Sequence, residues 1–452
     1  MKYRWAHIIL CLILVISCTI GCGLVEQSII DEAERQIEQL AQDTIPDDTI
    51  ESVLEDDEKQ LNNVSPKEPA DTEEVEPDET SDEDAIDDDG AVEDVSSSSS
   101  LDDLETLSDE EIAGCAANNA GRYAYETLNE SDRRIYNQIN LGLNKMTDGV
   151  AVDTQNTDTI GRIFQCVMMD HPEIFWVTGF TYTKYTLGGE LVAIGFKGTY
   201  PISNDERASR QSAIEQAINT CLSGMPGGDD YSKIKYVYEY IVLNTEYDMN
   251  SPDNQNICSV LLNHRSVCQG YAKTMQILLN RAGIMCTLVS GVTASPDGNQ
   301  NHTWNLVKSG GNYYYVDCTW GDASYRTADG YEGSIPSISY DYLCITYDQL
   351  HRTHTLGTPV AMPACTSMQD NYFVREGAYF TGVDEEGLRN LFNRYYEAGR
   401  SNVVIKASDG AIYNVLKTYL IDDQNVFKYL REGSETVSFW ENTTSNTLSF
   451  NL

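Results

Sequence analysis

The sequence predicts an α+β fold in which a helix that begins with a cysteine packs on an antiparallel sheet. Three observations support this. Cys268 starts a stretch whose apolar residues have helical spacing, and Gly283 marks its end. Two runs rich in aromatic and β-branched residues follow, and the Ser-Gly-Gly sequence at residues 309–311 between them is typical of a hairpin turn. The first run contains His302, and Asp317 follows the second, so a thiol, an imidazole and a carboxylate lie on neighbouring elements.

Acidic residues are concentrated in one part of the chain. The 452 residues carry a formal net charge of −41. Residues 24–111 hold 34 acidic and three basic residues, whereas residues 112–452 hold 37 acidic and 25 basic ones. The globular part is therefore only mildly acidic. Because no cluster of Lys and Arg forms a basic patch, the sequence argues against a nucleic-acid partner.

The N-terminus has the features of an export signal, predicted over residues 1–22. Two basic residues precede a short apolar run at residues 8–16, and Cys18 and Cys22 each follow a small residue. This pattern resembles a bacterial lipoprotein signal, in which the cysteine after the cleavage site is lipidated. Either cysteine fits, and an ordinary cleaved signal with incidental cysteines is the alternative. We expect an extracytoplasmic protein that a lipid anchor holds on the bacterial cell membrane.

Residues 23–110 are predicted to be an acidic, low-complexity, disordered spacer. Asp, Glu, Ser, Thr and Pro dominate this segment from residue 42 onward, and aromatic residues are absent. Such a composition buries too little apolar surface to offset the entropy of ordering, and its like charges repel. The spacer would hold a globular body away from the membrane surface. The alternative is that the acidic run captures cations or a partner.

The remaining residues are long enough for two or three domains of ~150 residues or fewer. We expect an N-terminal α+β domain over residues 111–226, a catalytic domain over 227–362 and a small C-terminal α/β domain over 363–452. In the first, Ser131, Asp158 and Ser203 are expected to cap helices, and Leu-Gly-Gly-Glu at 187–190 predicts a hairpin turn.

The central segment is expected to begin with a helix capped by Asp229 or Asp230, followed by the Cys268 helix. Strands are then expected at residues 284–289, 302–307, 313–316 and 342–346, with a polar loop at 293–301. The C-terminal segment is expected to alternate strands (372–374, 379–381, 403–407) with helices (384–397, 412–420) and to end in a hairpin.

The position of Cys268 suits a nucleophile. The thiolate is the reactive form of cysteine, and the partial positive charge and free N–H groups of a helix N-terminus favour it. The same N–H groups can hold an oxyanion. Gln269 and Gly270 are therefore candidate substrate or oxyanion residues, with glycine permitting close approach of a substrate backbone. A histidine base and an orienting acid would complete the activation.

The hairpin supplies both groups if its loop has two residues. With a Ser309-Gly310 loop, His302 lies directly opposite Asp317; with a Gly310-Gly311 loop, Asp317 is its diagonal neighbour. A three-residue loop would place the two side chains on opposite faces. Trp304 shares the face of His302 and is a candidate wall of the site. Trp320 has the opposite parity to Asp317, so in a regular strand it would point away.

Each residue also has a structural interpretation on its own. Cys268 could be a core cysteine, His302 a strand-end histidine bonded to the backbone, and Asp317 the cap of the turn that follows it. Their joint occurrence in a helix and a hairpin favours a functional site. His351 and His354 form an H-x-x-H pair, but a third ligand is not apparent, so we predict no metal site there.

Nine cysteines follow the signal, with no C-x-x-C pair, so a structural zinc site is not expected. An odd number fits one free functional thiol together with structural cysteines. Export would permit disulfides, and the alternative is that most of these cysteines are small buried apolar side chains.

Three motifs resemble the transglutaminase-like superfamily. They are Cys-Gln-Gly-Tyr-Ala from Cys268, His-Thr-Trp-Asn from His302 and Asp-Cys-Thr-Trp from Asp317, and the resemblance covers roughly residues 230–322. It implies a papain-like core in which Cys268 is the nucleophile, His302 the general base and acid, and Asp317 the orienting carboxylate. The calcium-loop motif of animal cross-linking enzymes is absent, so the resemblance implies neither calcium dependence nor another cofactor.

The resulting hypothesis is a surface-anchored cysteine acyltransferase or hydrolase of transglutaminase-like type. It would act through a thioester on protein or peptide substrates, with cell-wall peptides suggested by its expected location. A cysteine peptidase or amidase with the same triad is one alternative. A surface-binding module that keeps the fold without turnover is the other.

Overall fold

The computed structural model describes residues 91–92, 101, 104–295, 298–322 and 337–452. The signal predicted at residues 1–22 and nearly all of the spacer predicted at 23–110 lie outside these residues, so both stay predictions. None of the helices in the described ranges combines the length and apolar character that a membrane span requires.

The first part of the chain combines five helices with a four-stranded sheet. The helices are α1 (Asp109–Asn119), α2 (Tyr123–Thr127), α3 (Glu130–Lys145), α4 (Thr157–Asp170) and α5 (Asn204–Ser223). The strands are β1 (Ala91–Val92), β2 (Val150–Val152), β3 (Gly179–Leu187) and β4 (Glu190–Thr199), in the order β1-β3-β4-β2. The predicted hairpin turn is confirmed, since Gly188 and Gly189 both have positive φ between β3 and β4.

The N-cap residues explain why the start of one of these helices was predicted correctly and the starts of two others were not. Ser203 caps α5 as predicted, with its hydroxyl accepting from the N–H of Glu206. For α3, the cap is Asn129 rather than Ser131, and for α4 it is Asn156 rather than Asp158. Each asparagine stands two residues earlier and is itself among the best capping residues, so the helices start sooner than expected.

The central part places one long helix against an antiparallel sheet. Its helices are α6 (Asp230–Asn244), α7 (Cys268–Arg281) and the short α8 (Tyr347–Leu350). Its strands are the parallel pair β5 (Glu246–Tyr247) and β6 (Arg265–Ser266), followed by β7 (Cys286–Ser295), β8 (Gly298–Ser309), β9 (Asn312–Val316) and β10 (His354–Leu356). The sheet order is β10-β7-β8-β9, and α7 packs on β7 and β8. The predicted α+β class is therefore confirmed.

Two sequence predictions for this sheet are wrong. The polar loop expected at 293–301 is largely strand, because β7 and β8 pair continuously from Cys286 to Ser295, and backbone pairing does not require apolar side chains. The strand expected at 342–346 is reduced to one bridge between Tyr315 and Ile345. Cys344 has a φ of 56°, which breaks an extended run there.

Strand β10 forms the edge of the sheet and pairs with β7 around a glycine of β7. Leu356 pairs with Gly291 and His354 with Thr293. A Cβ at Gly291 would lie 2.0 Å from the carbonyl oxygen of Thr355, so a larger residue could not be accommodated without moving β10. Gly291 thus permits the contact that brings His354 onto the sheet.

The C-terminal part forms a third four-stranded sheet with helices. Its helices are α9 (Tyr372–Arg375), α10 (Glu385–Glu397) and α11 (Gly410–Lys417). Its strands are β11 (Tyr379–Phe380), β12 (Asn402–Ala407), β13 (Phe439–Asn442) and β14 (Thr447–Asn451), in the order β11-β12-β14-β13. The strand expected at 372–374 is wrong: Asn371 accepts from the N–H of Phe373 and caps a helical turn instead.

Candidate active site

Cys268 is the first residue of α7, as the sequence predicts. Val267 is the extended residue before the helix. Because Cys268 and Gln269 are the first two helical residues, their backbone N–H groups have no acceptor within the helix. Cys268 is partly exposed, whereas the other eight described cysteines are buried. The thiol therefore combines access to solvent with the positive end of a helix.

His302 and Asp317 form a buried pair beside this thiol. Nε2 of His302 lies 2.7 Å from Oδ2 of Asp317, and the two residues are 6% and 1% exposed. Cys268 also lies near enough to act on His302, since it contributes to the shifted pKa of this histidine. Since Nε2 is occupied by Asp317, Nδ1 is the ring nitrogen that remains for the thiol. The three side chains predicted as a triad are thus brought together, with a direct hydrogen bond between His302 and Asp317.

The hairpin has the second of the two registers allowed by the sequence. Ser309 pairs with Asn312 across a Gly310-Gly311 loop in which both glycines have positive φ. Strand β9 ends at Val316, one residue before Asp317. Extending the register by that residue places Asp317 diagonal to His302 on the same face of the sheet, which accounts for their contact.

Charge on Asp317 controls the protonation of His302. Burial alone would lower the pKa of His302, but the neighbouring carboxylate of Asp317, with a further contribution from Cys268, outweighs it and raises that pKa to about 10. Burial alone would raise the pKa of Asp317, but its interaction with His302 outweighs it and holds that pKa well below its usual range. At neutral pH the imidazolium and the carboxylate are therefore the stable forms.

A second histidine contacts the same carboxylate. Nε2 of His354, on β10, lies 3.1 Å from Oδ2 of Asp317. The sequence expectation that a third potential metal ligand is missing near His354 is wrong. Imidazole nitrogens of His302 and His354 and a carboxylate oxygen of Asp317 all lie within 4.8 Å of one another. The distances between both histidines and the carboxylate are those of direct hydrogen bonds. His351, the other member of the H-x-x-H pair, is exposed and stacks on Tyr347.

Comparison with known proteins identifies the central segment. A sequence profile of the Transglutaminase-like superfamily matches residues 223–318, which include Cys268, His302 and Asp317. Residues 223–318 are a transglutaminase-like core. The α+β core and the family resemblance expected from the three motifs are therefore confirmed for these residues.

Two curated proteins match about a quarter of the chain. Kyphoscoliosis peptidase from Mus musculus is 23% identical over 131 residues, which are 26% of this chain and 20% of that protein. The Homo sapiens protein is 28% identical over 128 residues, 25% of this chain and 19% of the relative. The match thus spans about a fifth of the length of these curated relatives.

Solved structures resemble the chain over a similar share. A crystal structure of a TGase is 12% identical with a TM-score of 0.24, covering 35% of this chain and 54% of that one. The periplasmic domain of TgpA from Pseudomonas aeruginosa is 16% identical with a TM-score of 0.20, covering 28% of this chain and 54% of that one.

Two tryptophans surround the imidazoles of the transglutaminase-like core. Trp304 is buried and stacks on His302 with ring centroids 5.8 Å apart, so it supports the imidazole from the same face, as its parity predicts. The prediction that Trp320 points away is wrong: its ring lies 6.3 Å from His302 and 4.8 Å from His354. Because β9 ends at Val316, Trp320 lies in a turn rather than a regular strand, and strand parity does not apply.

Asp317 makes the contacts that both of the roles considered for it require. While Oδ2 faces the imidazoles, Oδ1 accepts a 3.1 Å hydrogen bond from the backbone N–H of Trp320. The carboxylate therefore caps the turn after β9 and orients His302 at the same time. The structural and functional interpretations of this residue are compatible.

Gly270 and Gln269 differ in how well the structure fits their expected roles. Gly270 does not face a substrate: a Cβ there would lie 2.0 Å from Oγ of Ser266 and 2.6 Å from Oγ of Ser259. The expectation that it admits a substrate backbone is therefore wrong, and its small size serves interior packing. Gln269 is buried, and within the described residues its Oε1 has no hydrogen-bond partner. Its role as an oxyanion residue stays a prediction.

Replacing Gly270 with alanine is expected to destabilise the transglutaminase-like core. The added methyl group would force apart Ser266 and Ser259, whose hydroxyls lie 2.6 Å from each other. Overpacking of this kind typically costs ~1–3 kcal/mol. Urea denaturation of Gly270→Ala should show this loss, whereas Gly283→Ala, at an open site with positive φ, should lose only the smaller cost of backbone strain. Equal stability of Gly270→Ala and the unsubstituted chain would contradict the packing role.

The described cysteines are all free thiols. Cys286 and Cys318, which neighbour the site in sequence, are fully buried, and burial raises the pKa of both thiols. Of the two sequence interpretations, the structure favours small buried apolar side chains over disulfide partners. These thiols are also poor nucleophiles in their present surroundings.

The His302–Asp317 pair is expected to make stability depend on pH. His302 has a folded-state pKa of about 10, above its ordinary value of 6.5, so its contribution is fully present below pH 6.5 and is lost as pH rises through 10. The difference in free energy of unfolding between the unsubstituted chain and His302→Gln should therefore shrink from pH 6.5 to 10. Urea titrations across this range provide the measurement, and a difference that stays constant would contradict the raised pKa.

Proposed function

We propose that this protein is a surface-anchored cysteine acyltransferase or hydrolase that acts on protein or peptide substrates through a thioester on Cys268. The observation that supports this most directly is the placement of Cys268, a partly exposed thiol on a helix N-terminus, beside the hydrogen-bonded pair of His302 and Asp317. The match of residues 223–318 to the transglutaminase-like superfamily supports a cysteine enzyme independently of this geometry.

The first half-reaction forms the thioester. The thiolate of Cys268 attacks the carbonyl carbon of a glutamine side chain or a peptide bond, and a C–S bond forms. The free N–H groups of Cys268 and Gln269 stabilise the negative charge on the carbonyl oxygen. The imidazolium of His302 gives its Nδ1 proton to the departing nitrogen as the C–N bond breaks, which releases ammonia or an amine. The enzyme is left with an acylated Cys268 and a neutral His302.

The second half-reaction restores the enzyme. A primary amine or water attacks the thioester carbon, and neutral His302 accepts the proton of this attacking group at Nδ1. The C–S bond then breaks, and the thiolate of Cys268 is regenerated beside the imidazolium. Asp317 remains ionised throughout, keeping Nε2 of His302 protonated and the ring oriented. Aminolysis gives a cross-linked product, and hydrolysis gives a peptidase or amidase.

Hydrolysis as the main reaction is the second candidate. Its support is that the two curated relatives are both named peptidases, although each match spans about a fifth of the relative. Cell-wall peptides and surface proteins are the substrates that the expected location favours. The third possibility, a binding module without turnover, is addressed by the same experiment.

The experiment is incubation of the full chain with a glutamine-containing protein and a labelled primary amine. Amine incorporation that is lost in Cys268→Ala would support the acyltransferase, and new peptide termini lost in the same variant would support the peptidase. Neither product, across a broad panel of protein and peptide substrates, would overturn the proposal in favour of the binding module.

Surface anchoring is tested separately. The proposal expects membrane association in a bacterial host to disappear when Cys18→Ala and Cys22→Ala are combined. Persistent membrane association of this double variant would overturn the lipid anchor, while leaving the reaction at Cys268 unaffected.

A further inference from the structure

The Asp317 carboxylate has hydrogen-bond partners beyond the single imidazole of a Cys-His-Asp triad. Oδ2 receives His302 at 2.7 Å and His354 at 3.1 Å, and Oδ1 receives the N–H of Trp320. The side chain of His354 is entirely buried, yet it belongs to β10, a three-residue strand at the sheet edge. Burying a polar side chain removes its hydrogen bonds to water, and this lowers the stability of the fold unless hydrogen bonds within the protein replace them.

The surroundings of His354 define its protonation. Burial lowers the pKa of His354 and outweighs the opposing effect of Asp317, so the ring is neutral at neutral pH. A neutral ring that faces a carboxylate with Nε2 must carry its one proton there, because two acceptors would repel each other. Nδ1 is then an acceptor, and Oγ1 of Thr353 lies 2.7 Å from it.

The hydrogen bonds continue away from the carboxylate. The hydroxyl of Tyr342 lies 3.1 Å from Oγ1 of Thr353 and can donate to it. The Thr353 hydroxyl lies 2.7 Å from Nδ1 of His354 and 3.3 Å from the carbonyl oxygen of Leu350, so we assign its one proton to the nearer acceptor, Nδ1. Every group in this chain then has a consistent donor and acceptor role, ending in an N–H that points at Asp317. Such a connected network orients each member more firmly than an isolated pair would.

Aromatic rings fix the position of the His354 imidazole. Trp304 meets it edge-on with centroids 4.9 Å apart, and Trp320 lies 4.8 Å away. The titratable groups that face it are His302 on β8, Asp317 after β9 and Tyr342 before α8. The ring is therefore held from several sides, and its donor atom is directed at the carboxylate oxygen that also binds His302.

We propose that His354 is a positioning residue that donates a second N–H to Oδ2 of Asp317 and holds this carboxylate in line with His302. This inference rests on the proposed function of Cys268. Without His354, the carboxylate would keep one imidazole and one backbone N–H, and Oδ2 could rotate away from Nε2 of His302. The thiolate–imidazolium pair would then be less well aligned, although each of its members would still be present.

The test compares His354→Leu with His354→Gln in the full chain. Leucine removes the donor, whereas the glutamine amide can supply one N–H to Asp317. The readout is the rate of Cys268 alkylation by iodoacetamide from pH 4 to 9, which needs no substrate. His351→Leu is the matched control, since His351 lies three residues away, is exposed and makes no contact with Asp317 among the described residues.

We expect His354→Leu to slow the alkylation of Cys268 about 10-fold. Losses of this size are common when a residue that orients a functional side chain through a hydrogen bond is removed. The acid-side midpoint of its pH profile should also rise, because an imidazolium that Asp317 holds less firmly favours the neighbouring thiolate less. His354→Gln should recover most of the rate and the original midpoint, and His351→Leu should match the unsubstituted chain.

Several results would overturn the proposal. One is a His354→Leu profile identical to that of the unsubstituted chain, and another is a His354→Gln profile as impaired as that of His354→Leu. If His354→Leu does not fold, ¹⁵N NMR of histidine-labelled unsubstituted protein decides: a proton on Nε2 of His354 supports the proposal and one on Nδ1 alone overturns it. Failure of the proposed function is distinguishable, since the His354 variants would then change alkylation as expected while no substrate formed an acyl adduct on Cys268 of the unsubstituted chain.

Discussion

Cys268→Ala is expected to abolish thioester formation and to lower turnover by a factor on the order of 10⁴–10⁶. The reason is that alanine leaves His302 and Asp317 in place without an atom that can bond to the substrate carbonyl carbon. Mass spectrometry of the chain quenched during reaction should find an acyl adduct on Cys268 and none on the variant. The folded state should be little affected, because the thiol is partly exposed.

The matched control is Cys258→Ala. Cys258 lies ten residues before Cys268 but is buried, and burial raises the pKa of its thiol to about 11. This variant should form the acyl adduct at the normal rate and lose only a modest amount of stability. An acyl adduct on Cys258, or normal turnover by Cys268→Ala, would show that the nucleophile has been assigned to the wrong residue.

Asp317→Asn is expected to lower turnover by about 10³–10⁴-fold, as the same change does in other triads. Asparagine has nearly the same shape but no charge. Burial would then lower the pKa of His302 without an opposing carboxylate, so the imidazolium would be lost at neutral pH. Alkylation of Cys268 by iodoacetamide should become slow near pH 7 and should recover only at alkaline pH, where a thiol ionises without the help of an imidazolium.

Asp370→Asn is the control for loss of a buried carboxylate. Asp370 is as buried as the site residues but accepts from Ser309 and Arg375 instead of an imidazole. We expect it to lower the free energy of unfolding while leaving the pH profile of alkylation unchanged. If both Asp→Asn variants changed the profile alike, general loss of structure rather than orientation of His302 would be responsible.

Local signals explain why the sequence predicted most of the triad geometry. The start of α7 at Cys268 follows from helical periodicity and from Gly283, and the Gly310-Gly311 turn limits the β8–β9 hairpin to registers that place His302 and Asp317 on one face. These features depend on residues within a few positions of one another. They are therefore the part of a fold that a single sequence determines best.

What the sequence did not predict depends on contacts between distant segments. His354 follows Asp317 by 37 residues and reaches it only because a three-residue strand, too short for a periodic signal, pairs with β7. Trp320 was misplaced because parity was extended past the end of β9. The role of Gly270 was also misassigned, since the two serines that exclude a larger side chain come from outside α7.

The close approach of β10 to β7 has an evolutionary consequence. The carbonyl oxygen of Thr355 occupies the space that a side chain at position 291 would need, and the same strand carries His354. Glycine at the first position and histidine at the second should therefore be inherited together among chains that share this core. In homologous chains with a bulkier residue at position 291, the histidine at position 354 should no longer be retained. A comparison of homologous sequences would then show paired substitution at these two positions.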